Sequence, residues 1–154
     1  MTAIIRRLIT GTIVPETIRA VEGGTAGRVA NFKLSKIYEN PDPNFKKLSY
    51  QVQSPKFHGS TEKRTSDQMN SGAFEDRNKK VYFAELETAI DYATGRTAPN
   101  DTAVVHEIYS QQKPSTNSIS TDGWGFGLGL YSFFKTATNR VHIVRSWKVE
   151  KIAP

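Results

Sequence analysis

The chain contains no cysteine. That absence removes disulfide staples, thiolate metal sites and cysteine nucleophiles together, and it fits a reducing compartment without demanding one. No apolar run approaches the roughly 18 to 20 residues that a membrane-crossing helix needs, so no membrane partner is expected. The opening Met1-Thr2-Ala3-Ile4-Ile5-Arg6-Arg7-Leu8-Ile9 lacks the charged, apolar, small-residue layout of a secretory signal. A cytoplasmic location is expected; delivery into another cell by a non-classical route would leave no such mark. No block of five or more like charges occurs, so the charge is not concentrated in a tail. The histidines His58, His106 and His142 are widely spaced, with no local zinc-ligand pattern, and no metal site is expected. A hydrolase triad through Ser60 and His58 lacks a Gly-x-Ser-x-Gly elbow.

What is present suits one α+β domain over residues 1–154, long enough to bury a core without staples. The formal charge is +6 and the isoelectric point is near 9.6. Such a balance favours an anionic partner (a dinucleotide, a nucleic acid or an acidic protein face), although a Lys-rich soluble surface has the same composition.

Along the chain, residues 4–14 read as a strand, and 16–21 as a short helical stretch ended by Gly23-Gly24. From residue 28 to 38 the pattern is extended, with Ala30, Phe32 and Leu34 on one face and Asn31, Lys33 and Ser35 on the other. Asn40-Pro41-Asp42-Pro43-Asn44 reads as a turn, and Leu48, Tyr50 and Val52 as one face of a half-buried strand. Residues 61–71 are almost wholly polar and predict an exposed helix capped near Ser60 or Thr61 and closed by Gly72. Val81 to Ala84 reads as an inner strand. The helix after it carries Leu86, Ala89, Ile90 and Ala93 in one apolar stripe and is expected to end at Gly95. Residues 103–109 form the next strand, with His106 and Glu107 structural, and residues 111–122 read as loop. Gly123-Trp124-Gly125-Phe126-Gly127-Leu128-Gly129-Leu130 has no following Lys-Ser or Lys-Thr and is not a P-loop. It reads as a bent strand or as a mobile wall of a ligand cleft. Residues 131–134 and 141–149 are expected to close the chain as a hairpin around Thr138-Asn139-Arg140.

The stretch from Lys56 to Ile108 concentrates the chemistry. Gly59 lets a flat ligand approach the backbone, and His58 offers a donor and an acceptor on one ring. Tyr82 and Tyr92 are flat amphipathic faces on which an aromatic ring can stack. The set suits an amide-bearing heteroaromatic ring attached to a sugar, the nicotinamide riboside half of NAD.

His58-Gly59-Ser60, then Tyr82-Phe83-Ala84 beginning 24 residues after His58, then Tyr92 a further 10 residues on, resembles the ADP-ribosyltransferase domain of the poly(ADP-ribose) polymerase and diphtheria-toxin branch. Upstream, the run from Leu34 to Pro41 and Phe45-Lys46-Lys47-Leu48 are similar to that family's strand, Asn-Pro turn and short helix. The resemblance covers residues 29–108 best. It implies a split, mostly antiparallel β-sheet with a few short helices and NAD, as substrate, between the halves. His58 would hold the nicotinamide ribose, and Gly59 would pair its backbone with the carboxamide. Ser60 would line the adenosine side. Tyr82 would pack against ribose and ring as the second catalytic residue, with Phe83 and Ala84 beside it, and Tyr92 would stack on the ring. Ala89 stands where the family usually carries a serine that grips the carboxamide. The family's late glutamate is also missing, since Gly129-Leu130-Tyr131-Ser132-Phe133 holds no carboxylate. That departure disfavours polymer building. It leaves transfer of a single ADP-ribose to a macromolecular acceptor, protein or nucleic acid, as in a toxin or effector, or else substrate-assisted chemistry or a binding-only pseudoenzyme.

The alternative from a different class is a basic, OB-like single-stranded nucleic-acid binder without catalysis. Aromatic residues stand beside basic ones at 50–56, 131–135 and 145–148, where bases could stack while Lys and Arg follow phosphates.

Overall fold

The structure, a computed structural model, describes residues 14–41, 57–74, 80–110, 115–119, 131–135 and 141–152. The strand expected near the start of the chain, the one carrying Leu48, Tyr50 and Val52, and the glycine run 123–130 lie outside the described residues.

The fold is α+β and mostly β: curled antiparallel sheet with, among the described residues, two helices. In chain order the elements are β1 (Thr17–Val21), β2 (Val29–Glu39), β3 (Phe57–Thr61), α1 (Glu62–Ser71), β4 (Ala73–Phe74), β5 (Lys80–Phe83), α2 (Leu86–Arg96), β6 (Ala103–Ser110), β7 (Ser115–Ile119), β8 (Tyr131–Lys135) and β9 (Val141–Lys151). One sheet runs β1-β2-β9-β6-β3, with β4 also on β9; a second runs β5-β8-β7. Every strand pair is antiparallel.

Several expectations are corrected here. Residues 17–21 are strand rather than helix, because Ile18 and Ala20 pair across to Phe32 and Ala30 of β2. A ladder to β2 satisfies the backbone of so short a segment, which is too short to sustain a helix alone. Residues 115–119, read as loop, form β7 against β8. The closing hairpin is not formed: β8 pairs with β5 and β7, while β9 pairs with β2, β6 and β4 in the other sheet. Helix α2 continues through Gly95 to Arg96.

Two faces of the large sheet are covered differently. On one, Phe32 and Leu34 of β2, Phe57 of β3, Val105 of β6 and Trp147 and Val149 of β9 meet Leu86, Ala89, Ile90 and Ala93 of α2. This is the apolar stripe at helical spacing packing on alternate strand residues. The opposite face carries α1, polar throughout except at Met69, with Thr65 its buried residue. A second cluster gathers Val81, Phe83, Ile108, Val141 and Ile143, with Tyr38 and Met69 packed on it. Two bulges make this possible. Between Lys36 and Tyr38 the register slips, which leaves Ile37 exposed and turns Tyr38 to the far face. Between Glu107 and Ile108 it slips again and sends Ile108 into the second cluster.

Helix α1 has the caps its sequence predicts. The Thr61 hydroxyl accepts from the Arg64 amide, and Gly72 adopts a left-handed conformation (φ 73°) with its N–H on the Met69 carbonyl.

Candidate functional site

The site is set by where β3 and β5 part. Phe57 and Ala84 form an isolated antiparallel bridge, exchanging both backbone bonds: Phe57 N–H to Ala84 O at 2.9 Å and Ala84 N–H to Phe57 O at 2.8 Å. Had the ladder continued in register, the next pair to exchange bonds would be Gly59 with Tyr82. That pair is not made. Instead the His58 ring donates from Nδ1 to the Tyr82 carbonyl at 2.6 Å. On its other side β3 pairs with β6, Gly59 opposite Val105. Because Phe57 spends its backbone groups on Ala84, alternation places those of His58 toward β6 and those of Gly59 outward. The N–H and C=O of Gly59 therefore point to the β5 side of β3, and the residue itself is buried.

Gly59 is a glycine for a reason the sequence reading did not give. A Cβ there would run into the Ala89 carbonyl oxygen and lie 3.0 Å from the Ala93 nitrogen. The missing side chain admits helix α2. Gly23 does the same at the helix's other side, where a Cβ would lie 2.5 Å from Gly95 N and 2.7 Å from its Cα. Gly23 also donates to the Thr94 hydroxyl at 2.7 Å. Two glycines thus hold α2 hard against the sheet, and with it Tyr92.

Tyr92 is half-buried. The Arg96 guanidinium lies over its ring at 4.8 Å from the centroid, one helical turn on. Burial raises the Tyr92 phenol above its ordinary value; Arg96 and Arg64 pull it down and nearby Tyr82 pushes it up. Those interactions place Tyr82, Tyr92, Arg64 and Arg96 in one neighbourhood. Val81 and Phe83 point into the second core, so by strand alternation Tyr82 points away from it, half-buried.

The structure thus ties His58 to the Tyr82 carbonyl, sets Gly59 against α2, and makes Tyr82 an electrostatic neighbour of Tyr92. The remaining predicted residues play other parts. Ser60 is buried. Phe83 belongs to the second core cluster, and Ala84 supplies the backbone bridge to Phe57. Ala89 is 0% exposed and packs on Gly59, so its side chain faces protein.

Sequence reasoning missed the support beneath His58. His58, His106 and Ser146 stand opposite one another on β3, β6 and β9, one row across three strands. The His58 and His106 rings lie 6.2 Å apart and are tilted by only 21°. His106 is 0% exposed, its Nδ1 lies 2.6 Å from Ser146 Oγ and its Nε2 lies 2.9 Å from Thr65 Oγ1. Burial, and secondarily His58, holds its pKa well below 6.5. The row before it carries charge: Arg145 binds Glu107 at 2.8 Å and Glu39 at 2.9 Å. Only the i, i+4 spacing of Tyr92 and Arg96 was a signal available in the sequence; the rest needs strand registry.

Of the three groups of aromatic and basic residues, the one at 145–148 is committed to the fold. Trp147 is 7% exposed and packs on Phe57 at 6.2 Å between centroids, while Arg145 is held by its two carboxylates. The side chains of the other two groups lie outside the described residues. Among the described residues no cluster of metal-ligating side chains occurs, and no helix is long and apolar enough to cross a membrane. Comparison with known protein families, with characterised proteins and with solved structures gives no match.

Proposed function

We propose that this protein binds NAD in the split between β3 and β5 and transfers its ADP-ribose to a macromolecular acceptor, releasing nicotinamide. One observation carries the reading: the Gly59/Tyr82 pair is left unmade, so the donor and the acceptor of Gly59 point to the β5 side of β3, beside a His58 ring tied to the Tyr82 carbonyl. A primary carboxamide is the complement of that edge, its oxygen accepting from Gly59 N–H and its N–H donating to Gly59 C=O. Tyr82 and Tyr92 offer ring faces for the pyridinium. With Arg96 over one face of Tyr92, the pyridinium takes the opposite face. Arg64 and Arg96 add positive charge suited to the diphosphate.

The chemistry asks for positioning more than for acid catalysis. The C1′–N1 bond breaks with its electron pair passing to the cationic pyridinium, so nicotinamide leaves neutral and needs no proton. The acceptor's nucleophile forms the new bond to C1′ and sheds its proton. Fixing the departing ring and the ribose across that cation-like state is what a rigid edge and His58 can supply. His58 is held by its Nδ1–H on the Tyr82 carbonyl, which fixes the ring that would meet the ribose.

The test is nicotinamide release from NAD with and without a cell lysate as acceptor. Wild type should release it, and His58→Ala, folded by circular dichroism, should lose about 100-fold or more. Release unchanged in His58→Ala would overturn the role given to His58, whereas no response to NAD beside salt-sensitive binding of single-stranded oligonucleotide would turn the assignment to the nucleic-acid binder.

A further inference from the structure

We infer that His106 is the positioning residue for His58: a neutral imidazole, fixed at both nitrogens, on which the His58 ring lies. The direction of the two side-chain hydrogen bonds at its ring can be deduced. The Thr65 hydroxyl donates to the Thr61 carbonyl at 2.8 Å, so toward His106 it can only accept. His106 therefore carries its proton on Nε2 and donates to Thr65 at 2.9 Å. Its Nδ1 is then an acceptor, and Ser146 O–H donates to it at 2.6 Å. The relay runs Ser146 to His106 to Thr65 to Thr61, each proton pointing the same way, from the central strand β9 to the N-cap of α1.

A side chain that merely filled space at this buried position would be apolar, since a buried imidazole must recover two lost water contacts. Here it recovers both, and the ring gains a single tautomer and a single orientation. The His58 ring lies 6.2 Å away and nearly parallel, within the range of an aromatic pair, and is tied at its own Nδ1 to Tyr82 O. Ring flips of His58 are opposed on one side by a platform that cannot itself turn. Being neutral, His106 also puts no like charge beneath a proton on His58.

The kinetic half of the test rests on the NAD reading; the spectroscopic half does not. Thr65→Val removes the acceptor for His106 Nε2–H while keeping side-chain shape, and His106→Leu removes the platform. Imidazole 15N shifts of His58 read its tautomer directly. Wild type should show one tautomer, protonated at Nδ1, and both variants should show a mixture. If His106→Leu fails to fold, Thr65→Val alone decides. With NAD, kcat should fall about tenfold or more while KM stays within about threefold, the split expected when orientation of the reacting group is lost rather than affinity. An unchanged His58 tautomer in folded Thr65→Val overturns the inference. A tautomer shift in a protein that never releases nicotinamide keeps the inference and removes the NAD reading instead.

Discussion

Replacing Gly59 by alanine separates two ways of explaining one glycine. Gly59 does not have a left-handed backbone, so alanine is conformationally acceptable there. With room for the methyl group, the change would stabilise the fold by about 0.4–1 kcal/mol through the unfolded chain. The structure leaves no room: the Cβ would meet the Ala89 carbonyl oxygen inside the 3.0 Å limit below which such contacts are essentially never found, and Ala93 N at 3.0 Å. Both are backbone atoms of α2, and neither can move without the helix. Overpacking of this kind costs about 1–3 kcal/mol or more, and a rigid backbone obstacle puts Gly59→Ala near the upper end. The net loss expected is about 2–3 kcal/mol, a fall in Tm of about 4–12 °C for a chain of this size. Because Tyr92 rides on α2, the NAD binding proposed above should weaken with stability. Urea and thermal melts of both proteins provide the measurement. A neutral or stabilising result would mean that α2 does not sit on β3 as described, and the placement of Tyr92 would go with it.

Four other perturbations test ionisable groups that are buried or paired. Arg145→Ala removes the cation paired with Glu107, whose side chain is 6% exposed, and should cost about 3 kcal/mol in urea melts, whereas Glu39→Ala, losing a half-exposed partner, should cost under about 1 kcal/mol. Asp91 has a buried oxygen without a partner and a pKa raised by burial, so ionisation opposes folding. Its folded pKa lies above the unfolded 3.8, which makes the penalty grow as pH rises between the two. Asp91→Asn should therefore stabilise the protein by about 1 kcal/mol at pH 7 and lose that gain as pH falls toward 3.8, read from melts across pH. For His106 the sign is reversed: its folded pKa lies well below the unfolded 6.5, so the stability it contributes is present above 6.5 and drains away as pH falls below it. His106→Gln, hydrogen-bonding without titrating, should flatten that acid limb; an unchanged pH profile would contradict the buried neutral imidazole.

How far the sequence could be read depended on how local each cause was. Helix α1 was legible because its causes are local: the Thr61 cap, a polar run, and Gly72 where the backbone turns left-handed. Strand β2 was legible over its length as an extended stretch from residue 28 to 38, and its inward face through Leu34, but the bulge at Ile37 was not, because it answers to β9 rather than to its own neighbours. The existence of β8 and β9 was legible, but their partners were not, since pairing is decided by strands far away in the chain. The same holds at the site. His58, Gly59, Tyr82 and Tyr92 announced themselves as residue types in order, whereas the unmade Gly59/Tyr82 pair and the row His58, His106, Ser146 exist only once strands are registered. His106 was read as structural, which its burial bears out, but nothing in the sequence put it beneath His58.

The account turns on two peptide groups at one strand edge, and amide NMR observes them directly. Titrating the 15N-labelled protein with NAD should move the Gly59 amide downfield among the largest changes in the spectrum, with Tyr82 and Tyr92 shifting alongside, and nicotinamide alone should move the same Gly59 resonance. A Gly59 amide that stays in place at saturating NAD, or shifts confined to residues remote from the β3–β5 split, would contradict it.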